Sequence, residues 1–133
     1  MRAVDTNVVV RFLTGDDAAQ FRRARRVMQS GTVFIPKTVL LETEWVLRRA
    51  YSIAPEEILH ALDSLAHAAE VVIEDETAIA QALLWYRDGM DFADALHIAS
   101  RGAATQFLTF DRRLTSAARR AGIKGVTQPG LSR

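Results

Sequence analysis

The stretch Arg2-Ala3-Val4-Asp5-Thr6-Asn7-Val8-Val9-Val10 decides the fold. A short apolar run meets an acid at once, turns polar, and continues apolar through Arg11-Phe12-Leu13. Ala3 and Val4 read as a buried strand with Asp5 as its last residue, and Asn7 to Leu13 as the following helix. A strand apolar on both sides belongs in the middle of a parallel sheet covered on both faces. In open α/β sheets, sites form beyond the carboxyl ends of the strands, where strand order reverses. Asp5 stands at such a place. Capping of the next helix accounts for Asp5 equally well, and later acids must decide between the two.

Working outward, helical and strand-like segments alternate without repeat or linker. Asp16 or Asp17 caps a second helix to about Ser30, with Phe21, Ala24, Val27 and Met28 at helical spacing. Its other face carries Arg22, Arg23, Arg25 and Arg26. Thr32 to Ile35 reads as a strand stopped by Pro36. Helices follow over about Thr38–Tyr51 and, from Pro55 with Glu56 and Glu57 in its first turn, to about His67. Glu70 to Ile73 is a third strand. Asp75 caps a helix from Glu76 to about Asp88, with Gly89 at its stop. Asp91 opens another to about Arg101. Gln106 to Thr109 is a fourth strand, Arg112 to about Ala121 a last helix, and Val126 marks a weak fifth strand. Strands separated by helices imply right-handed crossovers and a parallel sheet. The expected fold is α/β: a three-layer α/β/α sandwich with a central parallel sheet of four to five strands.

The chain has 133 residues, the length of one domain spanning 1–133. Its 49% hydrophobic content argues for a packed core over disorder. No apolar run approaches the roughly 20 residues that span a bilayer, and the amino terminus enters a strand without a signal-peptide pattern. The absence of cysteine excludes disulfides and thiolate metal sites and suits a cytoplasmic protein. A net charge of +1 leaves nucleic-acid binding to charge distribution. Arg greatly outnumbers Lys, which occurs only at Lys37 and Lys124. That bias suits bidentate phosphate binding and genomic composition alike.

Four acids belong together in the reading. Glu42 looks out among Thr38, Val39, Trp45 and Val46, a largely apolar stripe. Glu44 has Arg48 four residues later, sufficient for a surface salt pair. Asp91 and Asp94 are three apart at a helix start, about 5–6 Å apart at Cβ. Asp94 lies among Ala93, Ala95, Leu96 and Ile98 and is expected to be buried; Asp91 reads as a cap as readily as a ligand. Asp111 follows the fourth strand as Asp5 follows the first. Like charges at about 4 Å repel by roughly 4 kcal/mol at an effective dielectric of 20. A cluster therefore needs a cation or shifted pKa values. All-oxygen ligation selects Mg2+ or Mn2+ over zinc, and such ions serve in-line displacement at phosphorus.

In order along the chain, Asp5-Thr6-Asn7, Glu42-Thr43-Glu44-Trp45-Val46-Leu47, Asp91-Phe92-Ala93-Asp94-Ala95-Leu96 and Thr109-Phe110-Asp111-Arg112 resemble the PIN-domain ribonucleases, and among them the VapC-type toxins of toxin–antitoxin pairs. The resemblance runs from Arg2 to about Leu114. It implies a metal-dependent endoribonuclease that hydrolyses RNA phosphodiester bonds with Mg2+ or Mn2+. It maps the catalytic and metal-binding quartet onto Asp5, Glu42, Asp94 and Asp111, with Asp91 as a fifth acid. Thr6, Asn7 and Thr109 match supporting positions. It also implies a small cognate antitoxin and a homodimer.

Arg11, Arg112 and Arg113 lie near the expected pocket and can hold phosphate, or simply face solvent. His97, three after Asp94, can reach the site or sit packed or at the surface; His60 and His67, about 10 Å apart along one helix, cannot share an ion. Trp45, Phe12 and Phe92 read as core before base-stacking platforms. Two other functions remain open on the residues alone. A receiver-type phospho-acceptor domain would use Asp75 but leave Glu42 and Asp94 idle. An inactive PIN-like binding module would not need the whole acidic set.

Overall fold

The computed structural model describes residues 1–130, so the last three positions of the expected domain lie outside the described residues. The chain divides into two compact units, residues 1–79 and 80 onward.

In the first unit, β1 (Arg2–Ala3), β2 (Val33–Ile35) and β3 (Val71–Ile73) form a parallel sheet in the order β1-β2-β3. Val33 lies opposite Arg2 on one side and Val71 on the other. Parallel neighbours need crossovers, and each crossover here is a pair of helices. They are α1 (Thr6–Thr14) with α2 (Ala18–Gln29), then α3 (Lys37–Arg49) with α4 (Pro55–Ala66).

Local chemistry sets these helices. Asp5 caps α1 by accepting from the Val8 amide at 3.1 Å, and Gly15 ends it in the left-handed conformation, φ +66°. Asp17 caps α2 by accepting from the Gln20 amide at 2.9 Å. Glu74 accepts from the Lys37 amide at 2.7 Å, meeting a donor at the start of α3 that no capping side chain serves. Pro55 begins α4, and Ile58, Leu62 and Leu65 bury its inner face. Each such apolar side chain contributes about 1.5–3 kcal/mol on burial.

The first strand departs from expectation. Arg2 and Ala3 are exposed and only Val4 is buried. β1 closes the order of its sheet, whereas β2 has a neighbour on each side. Full burial therefore falls to Val33 and Ile35 of β2.

The division between the units falls within α5 (Glu76–Arg87). Asp75 precedes that helix and caps it weakly, accepting from the Ala78 amide at 3.4 Å. The second unit continues with α6 (Phe92–Ala99), β4 (Phe107–Leu108), α7 (Arg112–Arg120) and β5 (Val126–Thr127). Phe92 is fully buried and meets Tyr86 edge to face, ring centroids 5.3 Å apart. β4 and β5 pair in parallel, Phe107 opposite Val126, so the weak strand signal at Val126 marks a real strand. Gly125 makes that pairing feasible. Its φ is +81°, and a Cβ there would come within 2.2 Å of the Thr105 carbonyl oxygen.

The α/β class with parallel strands is as expected. Five strands form among the described residues and every pairing is parallel, shared between a sheet of three and a sheet of two. No helix among the described residues is long and apolar enough to cross a membrane.

Candidate active site

In the first unit Asp5 sits where β1 gives way to α1, its carboxylate exposed and bound to the Val8 amide. The next residue, Thr6, is 8% exposed, and its hydroxyl donates to Glu42 Oε1. One hydrogen bond thus ties α1 to α3 and holds Glu42 beside the start of α1.

Glu42 and Glu44 exchange their expected environments. Glu42 is exposed. The buried stripe of α3 is instead Leu40, Thr43, Glu44 and Leu47, none more than 2% exposed. Trp45, expected in the core, is 54% exposed on the Glu42 side of the helix. The Glu44–Arg48 pair forms as expected, with Arg48 Nε donating to Oε2 at 2.8 Å, but its carboxylate end is buried. The spacing i, i+3, i+4, i+7 runs through both stripes. The larger apolar residues of the outer stripe obscure the inner one.

In the second unit three acids gather. Asp91 caps α6, accepting from the Asp94 amide at 3.1 Å. Asp94 is half-buried, as its apolar neighbours suggested. Asp111 caps α7, accepting from the Arg113 and Leu114 amides at 2.9 and 3.3 Å. Its own amide donates to Thr109 Oγ1 at 3.0 Å. Burial, then Asp91, then Asp111 push the Asp94 carboxyl above its ordinary pKa; His97 and Arg113 pull it down without prevailing. His97 itself is exposed, so its surface reading holds while it remains within electrostatic reach of Asp94.

The supporting and basic residues separate by environment. Asn7 is exposed beside a cleft. Arg11 lines the same cleft, but its guanidinium is held by Gln20 Oε1 at 2.6 Å, the Tyr51 hydroxyl at 2.8 Å and Asp16 at 3.2 Å. Arg112 and Arg113 are exposed at the start of α7. Phe92 is core, Phe12 is half-buried, and Phe110, adjacent to Asp111, is 78% exposed. Sequence reasoning passed over Phe110 because strand-end aromatics usually pack inward. It passed over Arg23 because an arginine on an outer helix face reads as solvated.

The donor set suits a hard divalent cation: every candidate ligand is a carboxylate and the chain has no thiol. Burial first, and then two neighbouring acids, push the Asp94 carboxyl up, a cost that a cation would relieve. Among the described residues, no three Asp, Glu or His side chains stand close enough together to hold a metal ion.

The PIN domain family model matches residues 2–120 of this chain. No curated protein matches it. Among solved structures, the chain is similar to VapC20 of Mycobacterium tuberculosis, a sarcin-ricin loop cleaving toxin. The two are 22% identical, with 88% of this chain and 95% of that chain covered and a TM-score of 0.45.

Proposed function

The chain belongs to the PIN-domain family, and from that premise we propose that it is a divalent-metal-dependent endoribonuclease, the toxin of a toxin–antitoxin pair. The observation that carries this reading is that half-buried Asp94 lies within electrostatic reach of Asp91 and Asp111, the caps of two helices, its carboxyl pushed up first by burial and then by those two acids. The family model covers residues 2–120 and so contains Asp5, Glu42, Asp91, Asp94 and Asp111, which supports reading all five as candidate functional acids. Mg2+ or Mn2+ held by these carboxylates would neutralise charge and activate water for in-line attack at phosphorus.

The chain's own part is positioning. Thr6 holds one oxygen of Glu42, and the other would be available to a metal ion. The Val8 amide orients Asp5, and the Thr109 hydroxyl with the first amides of α7 orients Asp111. These fixed groups reduce the reorganisation required at the reacting phosphate. Asp75, which a receiver-type domain would use as acceptor, is occupied instead: it pairs with Lys37 Nζ at 2.8 Å and caps α5.

A small antitoxin partner follows from the same reading, with half-buried Phe12, Leu13 and Phe21 as apolar surface for it. A homodimer in the cytoplasm completes the proposal, in keeping with a chain free of cysteine.

Digestion of a panel of structured RNAs with and without Mg2+ or Mn2+, followed by end mapping, tests the activity. Discrete internal cleavage that EDTA stops is expected. Cleavage indifferent to metal, or none on any RNA, rejects it. Purification from the native locus should bring down a small protein that inhibits cleavage.

A further inference from the structure

Beyond the acids, the largest concentration of like charge in the described chain is on α2. Arg22, Arg23, Arg25 and Arg26 fall within five positions, and the helix Ala18–Gln29 contains no acid. Neighbours three and four apart on a helix repel when alike. Among the described residues these four arginines make no ion pair. Among the described residues that repulsion is therefore left uncompensated.

Two of the four face a groove. A cleft of about 350 Å3 lies between α1 and α2, lined by Asp5, Asn7, Val8 and Arg11 from one side and by Gln20, Arg23, Ala24 and Val27 from the other. A second cleft of about 290 Å3 shares Arg23 and Val27 and adds Arg2, Arg26 and Ser30. Together they follow α2 from Gln20 to Ser30, a length of about 15 Å at the helical rise. Arg2 Nη2 donates to Ser30 Oγ, which keeps its guanidinium at the far end. Asp5 stands at the near end. Arg11 is consumed by Asp16, Gln20 and Tyr51 and serves as wall. Among the described residues Arg23 and Arg26 meet no side-chain acceptor or ion-pair partner.

We propose that this groove grips the RNA phosphate backbone, with Arg23 and Arg26 as the phosphate ligands that lead the strand to Asp5. The inference rests on the ribonuclease reading. The guanidinium fork matches phosphate oxygens two at a time. The apolar floor of Val8, Ala24 and Val27 offers no specific reader of base edges, so the groove fixes register and leaves sequence choice elsewhere. An acidic protein segment would satisfy the same charges. The continuity of the groove with Asp5 favours the polymer on which Asp5 is proposed to act.

The test measures binding of a labelled single-stranded RNA of about 12 nucleotides to the full chain in EDTA, by anisotropy across a salt series. Parent, Arg23→Gln/Arg26→Gln and Arg22→Gln/Arg25→Gln are compared. The last variant removes equal charge from the same helix but none from the groove. For a single strand, each phosphate deprived of its arginine lowers the slope of log K against log salt by about 0.7. The groove variant should therefore fall by about 1.4 in slope and bind at least tenfold more weakly, while the control stays near the parent. RNA cleavage with metal should fall in the groove variant through KM. Equal losses in both variants, or an unchanged slope in a parent that cleaves RNA, overturn the groove and leave the ribonuclease reading intact. A parent that neither binds nor cleaves RNA overturns both. A polyglutamate peptide forms the second arm: if the groove variant loses only that ligand, the groove serves an acidic protein and the proposal falls.

Discussion

The buried hydroxyl of Thr6 on α1 donates to the exposed carboxylate of Glu42 on α3. A residue adjacent to Asp5 thereby sets the position of a second acid 36 positions later in the chain. Thr6→Val keeps the shape and deletes the donor. It should cost about 0.5–1.5 kcal/mol in stability and lower RNA cleavage by tenfold or more, whereas Thr6→Ser should retain most of both. Cleavage rates and thermal unfolding read the two effects. Parent-like cleavage by Thr6→Val would show that Glu42 needs no such tether.

Asp94 gives a pH-dependent prediction. Its folded pKa is raised, by burial first and then by Asp91 and Asp111. The folded chain therefore holds that proton more tightly than the unfolded chain does. Ionised Asp94 costs stability above its folded pKa, and the cost vanishes as pH falls through that value. In EDTA at neutral pH, Asp94→Asn should unfold at a higher temperature than the parent. The gap should close as the pH is lowered. It should be small, because the carboxyl is partly solvated and screened. Metal should reverse the order, stabilising the parent by about 2.7 kcal/mol at a hundred times its dissociation constant. A gap that ignores pH, together with no metal effect, argues that these acids share no site.

Glu44 is 1% exposed and depends on Arg48. Removing one member of a buried pair typically costs about 3–5 kcal/mol, whereas replacing both by apolar groups is often neutral or better. Arg48 is one-third exposed, so Arg48→Met should fall near the lower end, about 3 kcal/mol. Glu44→Met/Arg48→Met should recover most of that loss. Urea unfolding of the two variants decides: a double variant no more stable than the single one would mean that Glu44 is held by something else.

Asp5 and Asp111 each orient a helix as well as a charge. Asn caps about as well as Asp. Asp5→Asn and Asp111→Asn should therefore abolish cleavage with unfolding temperatures close to the parent. Asp5→Ala should lose the activity and about 0.5–2 kcal/mol besides. Full activity in either Asn variant removes that residue from the site.

Much of this was legible from local chemistry. Asp17 before Ala18, Pro55 with two glutamates behind it, and Asp111 before Arg112 announce helix starts, and the helices begin there within a residue. What escaped reading depends on which face meets a neighbour. On α3 the outer Val39, Trp45 and Val46 look more apolar than the inner Thr43 and Glu44, so periodicity alone pointed Glu42 inward. For β1, residue type cannot tell a strand at the end of a sheet from one in its middle. For Arg23, the groove exists only once α1 lies along α2, a tertiary fact that no local pattern carries.

Three candidate acids, Asp5, Asp91 and Asp111, are helix caps. That double employment separates what protects their shape from what protects their charge. Folding accepts aspartate or asparagine at a cap with near indifference, so a chain that has exchanged one for the other still folds and still accumulates. Thermodynamic stability guards the negative charge at these positions only through the helix dipole, about 0.3–1 kcal/mol. The proposed chemistry would guard it far more strongly, and a lineage for which that chemistry was harmful could disarm the protein in one step while keeping every strand and helix in place.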